Sequence, residues 1–191
     1  MREERIGFAM CGSFCCHEKA LRALEELTQN FSVVVPILSP CAASTDTRFG
    51  TAKELLSRVE ELTGRTPITT IEEAEPIGPK GLVDALIIAP CTGATLARLA
   101  HGLTDTAVAM AAKSHLRNAK PLIIAFSTND GLSGSAANIA SLLTRRNYYF
   151  VPFGQDNCRS KPNSMIADLD LLPETIVMAM EKKQIQPVII S

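Results

Sequence analysis

The chain has 191 residues, enough for one domain, here taken as residues 1–191, with a substantial core. Hydrophobic residues make up 46% and charged residues 20%, and the formal net charge is −1, so no basic excess points to nucleic acid or an anionic membrane. Trp is absent and only two Tyr occur, which argues against a base-stacking surface. No apolar run approaches the ~20 residues that cross a bilayer. The charged start Met1-Arg2-Glu3-Glu4-Arg5 precedes a segment too short for a signal peptide, so a cytoplasmic protein is expected. Cysteines stand at 11, 15, 16, 41, 91 and 158. In such a chain disulfides are not expected, and the absence of C-x-x-C spacing gives no zinc site.

Ile6 to Cys11 reads as the first strand, and Gly12-Ser13 follows at once. Ala20, Leu21, Leu24 and Leu27 then mark the apolar stripe of a helix. Gly12 allows backbone to approach a ligand, and Ser13 either caps the helix or donates its hydroxyl, so the dipeptide is a candidate phosphate turn. Val33 to Leu38 is a second strand, with Pro36 pointing to an edge or a bulge. Ser39 to Gly50 reads as a polar connection leaving a strand end. Its Arg48 suits either a substrate carboxylate or a salt bridge that fixes the loop. Ala52 to Leu62 is an amphipathic helix stopped by Gly64. Pro67-Ile68-Thr69 suits a short strand, and residues 71–80 read as mostly irregular with room for one helical turn.

The centre of the chain is Leu82 to Asp105. Ala85 to Ala89 is a run for a strand buried on both faces, and Pro90 is expected to end it. The turn Cys91-Thr92-Gly93-Ala94-Thr95 leads into a helix with Leu96, Leu99, Ala100 and Leu103 inward. This strand–turn–helix unit places free backbone N–H groups at the carboxyl edge of a parallel sheet, where phosphates bind, and Thr92 and Thr95 add hydroxyls. A helix follows to about Arg117. Pro121 to Phe126 is the next strand, opening into the polar turn Ser127-Thr128-Asn129-Asp130-Gly131, and Ile139, Leu142 and Leu143 mark the helix after it. Tyr149 to Val151 is a sixth strand, Pro152 to Pro162 a loop, and Pro173 opens a last helix. The tail Val188-Ile189-Ile190 packs either on the domain or on another chain. Strands alternating with helices predict a three-layer α/β domain around a parallel sheet of about six strands.

The turns together resemble the flavoprotein family of homo-oligomeric flavin-containing decarboxylases and their relatives. That family has Gly-Ser after its first strand and a hydroxyl residue after its second. Its signature Ala-Pro-Ala-Thr-Ala-Asn-Thr-x-Ala-Lys-x-Ala-x-Gly-x-x-Asp stands here as Ala89 to Asp105, and its Pro-Ala-Met-Asn turn as Phe126-Ser127-Thr128-Asn129. Further blocks are similar to one branch of the family: Ser44 to Gly50, Glu61 to Gly64, Ala74 to Lys80, Pro152 to Asp156 and Lys161 to Met165. The resemblance implies a Rossmann-like or flavodoxin-like fold and a homo-oligomer. It implies an oxidoreductase subunit that works with a nicotinamide-binding partner, the A-subunit, which carries NAD(P). The reaction implied is oxidation of dihydrodipicolinate, or its hydroxytetrahydro precursor, to dipicolinate in the mother cell of a sporulating bacterium.

For FMN, the implied contacts are Gly12, Ser13, Phe14, Ser39, Thr45, Pro90, Cys91, Thr92, Gly93, Thr95, Thr128 and Asn129, with Arg48 toward a dicarboxylate substrate and no metal. Two departures stand out. The family's signature Asn is Ala94 here, which keeps open a non-catalytic partner that activates the A-subunit or channels substrate to it. The catalytic His of the family's decarboxylases has no counterpart in Ser39 to Gly50, which speaks against a flavin-dependent decarboxylase or prenyltransferase. Asp46, Asp105 and Asp130 suit a base or helix caps, with a cap favoured for Asp105. Arg159 and Lys161 read as surface charges, His17 as a first-turn cap, and His101 and His115 as surface or packing residues. Cys91 is either a small buried residue or a redox thiol.

Overall fold

The computed structural model describes residues 2–190, so Met1 and Ser191 lie outside the described residues. A seven-stranded sheet runs through the molecule with helices against it. Strands β1 (Arg2–Met10), β2 (Phe31–Leu38), β3 (Ala85–Cys91), β4 (Leu122–Thr128) and β5 (Tyr148–Phe150) are parallel, in the order β2-β1-β3-β4-β5. The chain moves outward from β1 to β2 and then returns past it to β3. Neighbouring crossovers therefore diverge at the carboxyl ends of β1 and β3 and leave a crevice between them.

β3 is buried at every position, as its uninterrupted apolar run requires. It does not end at Pro90. The Pro90 carbonyl accepts from Cys11 N at 3.1 Å, and a register shift after Ile88 lets Cys91 pair with Phe126. The missing proline N–H thus costs one rung without terminating the strand. Pro36 lies in β2, an edge strand of the sheet, where a missing donor is tolerated. Pro67 to Thr69 gives no strand, only a bridge in which Ile68 N donates to Pro36 O (2.9 Å) and Leu38 N to Ile68 O (2.8 Å).

The sheet is not wholly parallel. Residues expected to loop after Pro152 form β6 (Phe153–Asn157) and β7 (Lys161–Ala167), an antiparallel hairpin. β4 carries two partners in succession: Leu122 to Ile124 pair with β5, and Ser127 and Thr128 pair with β7. The hairpin thereby extends the carboxyl half of β4. Phe126, Phe150 and Phe153 pack where the two partners meet, with ring centroids 4.7 to 6.2 Å apart. The apolar tail packs on the domain, with Ile190 N donating to Phe153 O at 3.0 Å and Gly154 leaving room for the Ile190 carbonyl.

Helices α1 (His17–Asn30), α2 (Pro40–Ser44), α3 (Ala52–Thr63), α4 (Ile71–Ala74), α5 (Gly93–His101), α6 (Ala107–Leu116), α7 (Ala136–Leu143) and α8 (Leu172–Met180) complete the fold. α2 falls in the stretch read as a polar connection, and α4 is the single helical turn for which residues 71–80 left room. Ser39 starts α2 by accepting from Ala42 N at 3.2 Å, and Thr70 starts α4 through a capping box with Glu73. Gly102, in the left-handed conformation, ends α5 before Leu103, which is therefore exposed rather than inward. Leu143, in the last turn of α7, is also exposed. Thr106 caps α6, and Asp105 instead pairs with Arg98 Nε at 2.8 Å. At the opposite end of the sheet, Asp84 before β3 binds Arg5 of β1 (3.1 Å) and Lys120 before β4 (2.7 Å), tying the central strands together away from the crevice.

Candidate functional site

Four turns meet at the carboxyl edge, and side chains stitch each to the next. The turn after β1 touches α2, because Gly12 lies against Cys41: a Cβ there would sit 2.9 Å from Cys41 Sγ. The same turn touches the turn after β4, where the Ser13 hydroxyl donates to Ser127 O at 2.7 Å and the Cys16 thiol to Ser127 Oγ at 3.2 Å. Ser13 therefore caps no helix. His17 is likewise no cap: its Nε2 bonds Cys11 O at 2.7 Å and its ring packs on Phe14 with centroids 5.1 Å apart. A carbonyl only accepts, so Nε2 carries the proton, and burial lowers the ring's pKa.

The turn after β3 joins both sides. Thr92 accepts from Thr95 N (3.2 Å) and donates to Thr95 Oγ1 (3.1 Å), and Thr95 donates in turn to Cys11 Sγ (3.3 Å). This relay uses both hydroxyl protons inside the protein, so neither threonine has the free hydroxyl donor expected of it. Thr95, Pro90 and Cys91 are buried beneath the edge, and Ser39 is buried as the α2 cap. Burial pushes the Cys91 thiol well above its ordinary pKa and raises Cys11 to about 11, so neither is a reactive thiolate at neutral pH. The candidate contacts that reach the surface are Gly12, Ser13, Phe14, Thr45, Thr92, Gly93, Thr128 and Asn129.

Gly93 exposes a cluster that sequence reading did not assemble. A Cβ on it would lie 2.6 Å from Ser135 Oγ, 2.8 Å from Thr128 Oγ1 and 3.1 Å from Asp130 Oδ1. Thr128 and Ser135 both donate to that carboxylate oxygen, at 2.5 and 2.8 Å. The Thr128 hydroxyl, with Ser135 beside it, holds the Asp130 carboxyl below the usual carboxylate range. Asp130 is thus a fixed negative charge against the first turn of α5. Asn129 stands exposed beside it. Ser135 carried no signal in the sequence, since only folding brings α7 to the end of α5.

The amides of Gly12, Ser13 and Phe14 donate to no group among the described residues. Three successive open N–H groups at a strand end form the donor set that a phosphate needs. A cleft of about 730 Å³ opens beside this turn, walled by α1, α3 and the segment between α2 and α3, and Phe14 belongs to both. That volume suits a small organic ligand. Phe49 lines it, and the Arg48 guanidinium lies over the Phe49 ring, 4.8 Å from the centroid. Asp46 receives Ala52 N at 2.9 Å, a structural role. Lys161 pairs with Asp156 at 2.6 Å on the exposed hairpin, and Arg159 is exposed at its tip.

A family model described as Flavoprotein matches residues 1–153. The chain belongs to the flavoprotein family. Within the flavoprotein family it is 42% identical over 190 residues to the dipicolinate synthase B-subunit of Bacillus subtilis (strain 168), spanning 100% of this chain and 95% of that one. The crystal structure of the dipicolinate synthase B-subunit from Bacillus halodurans C superposes with a TM-score of 0.90 at 39% identity, covering 98% of this chain and 96% of the other. More distant solved structures share the fold. DmrB of Burkholderia xenovorans, a cubic protein cage for redox transfer solved with FMN, has a TM-score of 0.70 at 18% identity, covering 94% and 96% of the two chains. Among the described residues no helix is long and apolar enough to cross a membrane, and no cluster of His, Cys, Asp or Glu suits a metal.

Proposed function

We propose that this chain is the flavin-site subunit of a dipicolinate synthase. It acts with the dipicolinate synthase A-subunit, which holds NAD(P), to oxidise dihydrodipicolinate, or its hydroxytetrahydro precursor after loss of water, by two electrons to dipicolinate in the mother cell. The observation that carries the reading is 42% identity across the whole chain to a dipicolinate synthase B-subunit. FMN, when bound, supplies the two-electron acceptor for completing the pyridine ring. The chain's own part is to hold and orient. The open amides of Gly12 to Phe14 take the phosphate. Asp130 places a negative charge at the start of α5 and so directs an anion to the β1 turn rather than to that helix. The Thr92–Thr95–Cys11 relay locks α5 to β1, and Ser13 locks the phosphate turn to β4. Assembly into a homo-oligomer belongs to the same reading.

A second reading, a partner that shapes or channels substrate to the A-subunit without flavin, draws on Ala94 and on the carboxylate at Gly93. An absorption titration of the purified full chain with FMN separates the two. Saturable, perturbed flavin bands, weakened in Ser13→Ala, support the flavin site. A folded protein that binds none at high micromolar FMN refutes it and leaves the second reading.

A further inference from the structure

The segment between α2 and α3 is held far more firmly than a solvated loop requires. Thr47 N donates to Gly50 O at 3.0 Å and Gly50 N to Thr47 O at 3.2 Å, closing a tight turn with Arg48 and Phe49 at its tip. Thr47 Oγ1 accepts from Phe49 N at 3.1 Å. Gly50 adopts φ +140°, a conformation that L side chains rarely take. Below the turn, Asp46 holds Ala52 N, and the Thr51–Glu54 capping box starts α3. None of these bonds uses Arg48. Among the described residues it forms no ion pair, so it is not the salt bridge that fixes the loop. Its guanidinium instead lies over the Phe49 ring, 4.8 Å from the centroid. Phe49 is 55% exposed and forms part of the cleft wall, which Phe14 continues.

We propose that Phe49, which lines the cleft, and Arg48, stacked on it, form a clamp for planar ring carboxylates. Stacking on Phe49 holds the guanidinium in place and leaves its N–H edges free for a two-point contact with a carboxylate. The aromatic wall takes the flat ring. The rigid turn fixes both groups before the ligand arrives, which lowers the ordering cost of binding. Dipicolinate and its nearly flat dihydro precursor are ligands of this class, and in naming them the clamp rests on the function proposed above. The clamp itself reads only a flat ring and a carboxylate, so a benzene-1,3-dicarboxylate also fits, whereas heptanedioate, a flexible diacid of similar reach, fits poorly.

Calorimetric titration of the full chain with these three diacids, with and without FMN, tests it. The expected result is binding of both aromatic diacids at least tenfold tighter than heptanedioate. Arg48→Gln weakens all of them at least tenfold with an unchanged melting temperature, since Arg48 is exposed and holds nothing in the fold. Phe49→Leu removes the preference for the flat rings. Wild-type binding that survives both substitutions, or no binding of either aromatic diacid, overturns the clamp. Dipicolinate formation with the A-subunit is scored separately. If it occurs while the clamp fails, the function stands without the clamp; if it never occurs while the diacids bind as described, the clamp stands without that function.

Discussion

Replacing Gly93 with Ala tests whether the Thr128–Asp130–Ser135 cluster is a packed part of the site edge. The new methyl carbon would lie 2.6 Å from Ser135 Oγ and 2.8 Å from Thr128 Oγ1, well inside ordinary van der Waals contact. Both hydroxyls are held on the same carboxylate oxygen, so neither can retreat without loosening its bond to Asp130. Overpacking of this kind costs about 1–3 kcal/mol. A strained charge-assisted hydrogen bond adds about 1 kcal/mol, and better helix propensity returns less than about 1 kcal/mol. The expected net loss of about 2 kcal/mol corresponds to a melting temperature lower by roughly 4–8 °C for a domain of this size. The nearest atom belongs to Ser135, so the cost of the methyl group should fall by about 1 kcal/mol in a Ser135→Ala background, measured by urea unfolding of the four proteins in a double-mutant cycle. Additive effects in that cycle, or a Gly93→Ala protein as stable as wild type, would show that the close approach at α5 is not what Gly93 serves.

Two further outcomes concern the buried groups. His115 is 1% exposed, its Nε2 donates to Pro121 O at 2.9 Å, and burial lowers its pKa to about 4. An unfolded histidine takes its proton near 6.5, so between those values the unfolded state binds the extra proton. The stability from the neutral buried ring is full above about pH 6.5 and falls as the pH drops toward 4, by about 2 kcal/mol at pH 5. Urea unfolding at pH 7.5 and 5 should show that loss in the wild type and not in His115→Gln; an equal pH dependence in both would place the linkage elsewhere. Among the cysteines, 15, 41 and 158 are exposed while 11, 16 and 91 are buried. A thiol reagent at neutral pH should label the exposed set quickly and reach the others only in denaturant, and fast labelling of Cys91 in the native protein would contradict its burial.

Alternating apolar runs and amphipathic stretches determined the parallel α/β core, because a buried strand and a half-buried helix leave different periodicities in a chain. The same local chemistry placed Gly12-Ser13, Cys91 to Thr95 and Ser127 to Gly131 at strand ends. The uncertain stretches were those where a partner outside the local sequence decides the state. Pro90 reads as a strand end until Cys11 and Phe126 supply the rungs on either side of it. Residues 152–162 look like a loop because the pairing that makes a hairpin of residues 153–167 is between its own two strands and with the last two residues of β4.

The individual roles depended on the fold in the same way. Residue types at 13, 92 and 95 announce hydroxyls at a sheet edge, but not where the protons go; in the folded chain all three are turned inward, to Ser127, Thr95 and Cys11. Asp130 suits a base or a cap in the sequence and Ser135 carries no signal, and only the packing of α5 against α7 makes them neighbours of Gly93. Arg48 was visible as a lone cation in a polar stretch. That it lies on Phe49, free of any carboxylate among the described residues, follows from a turn closed by Thr47 and Gly50. Local sequence sets which groups are available and at which strand end; through-space packing decides which of their bonds are already made and which remain for a ligand.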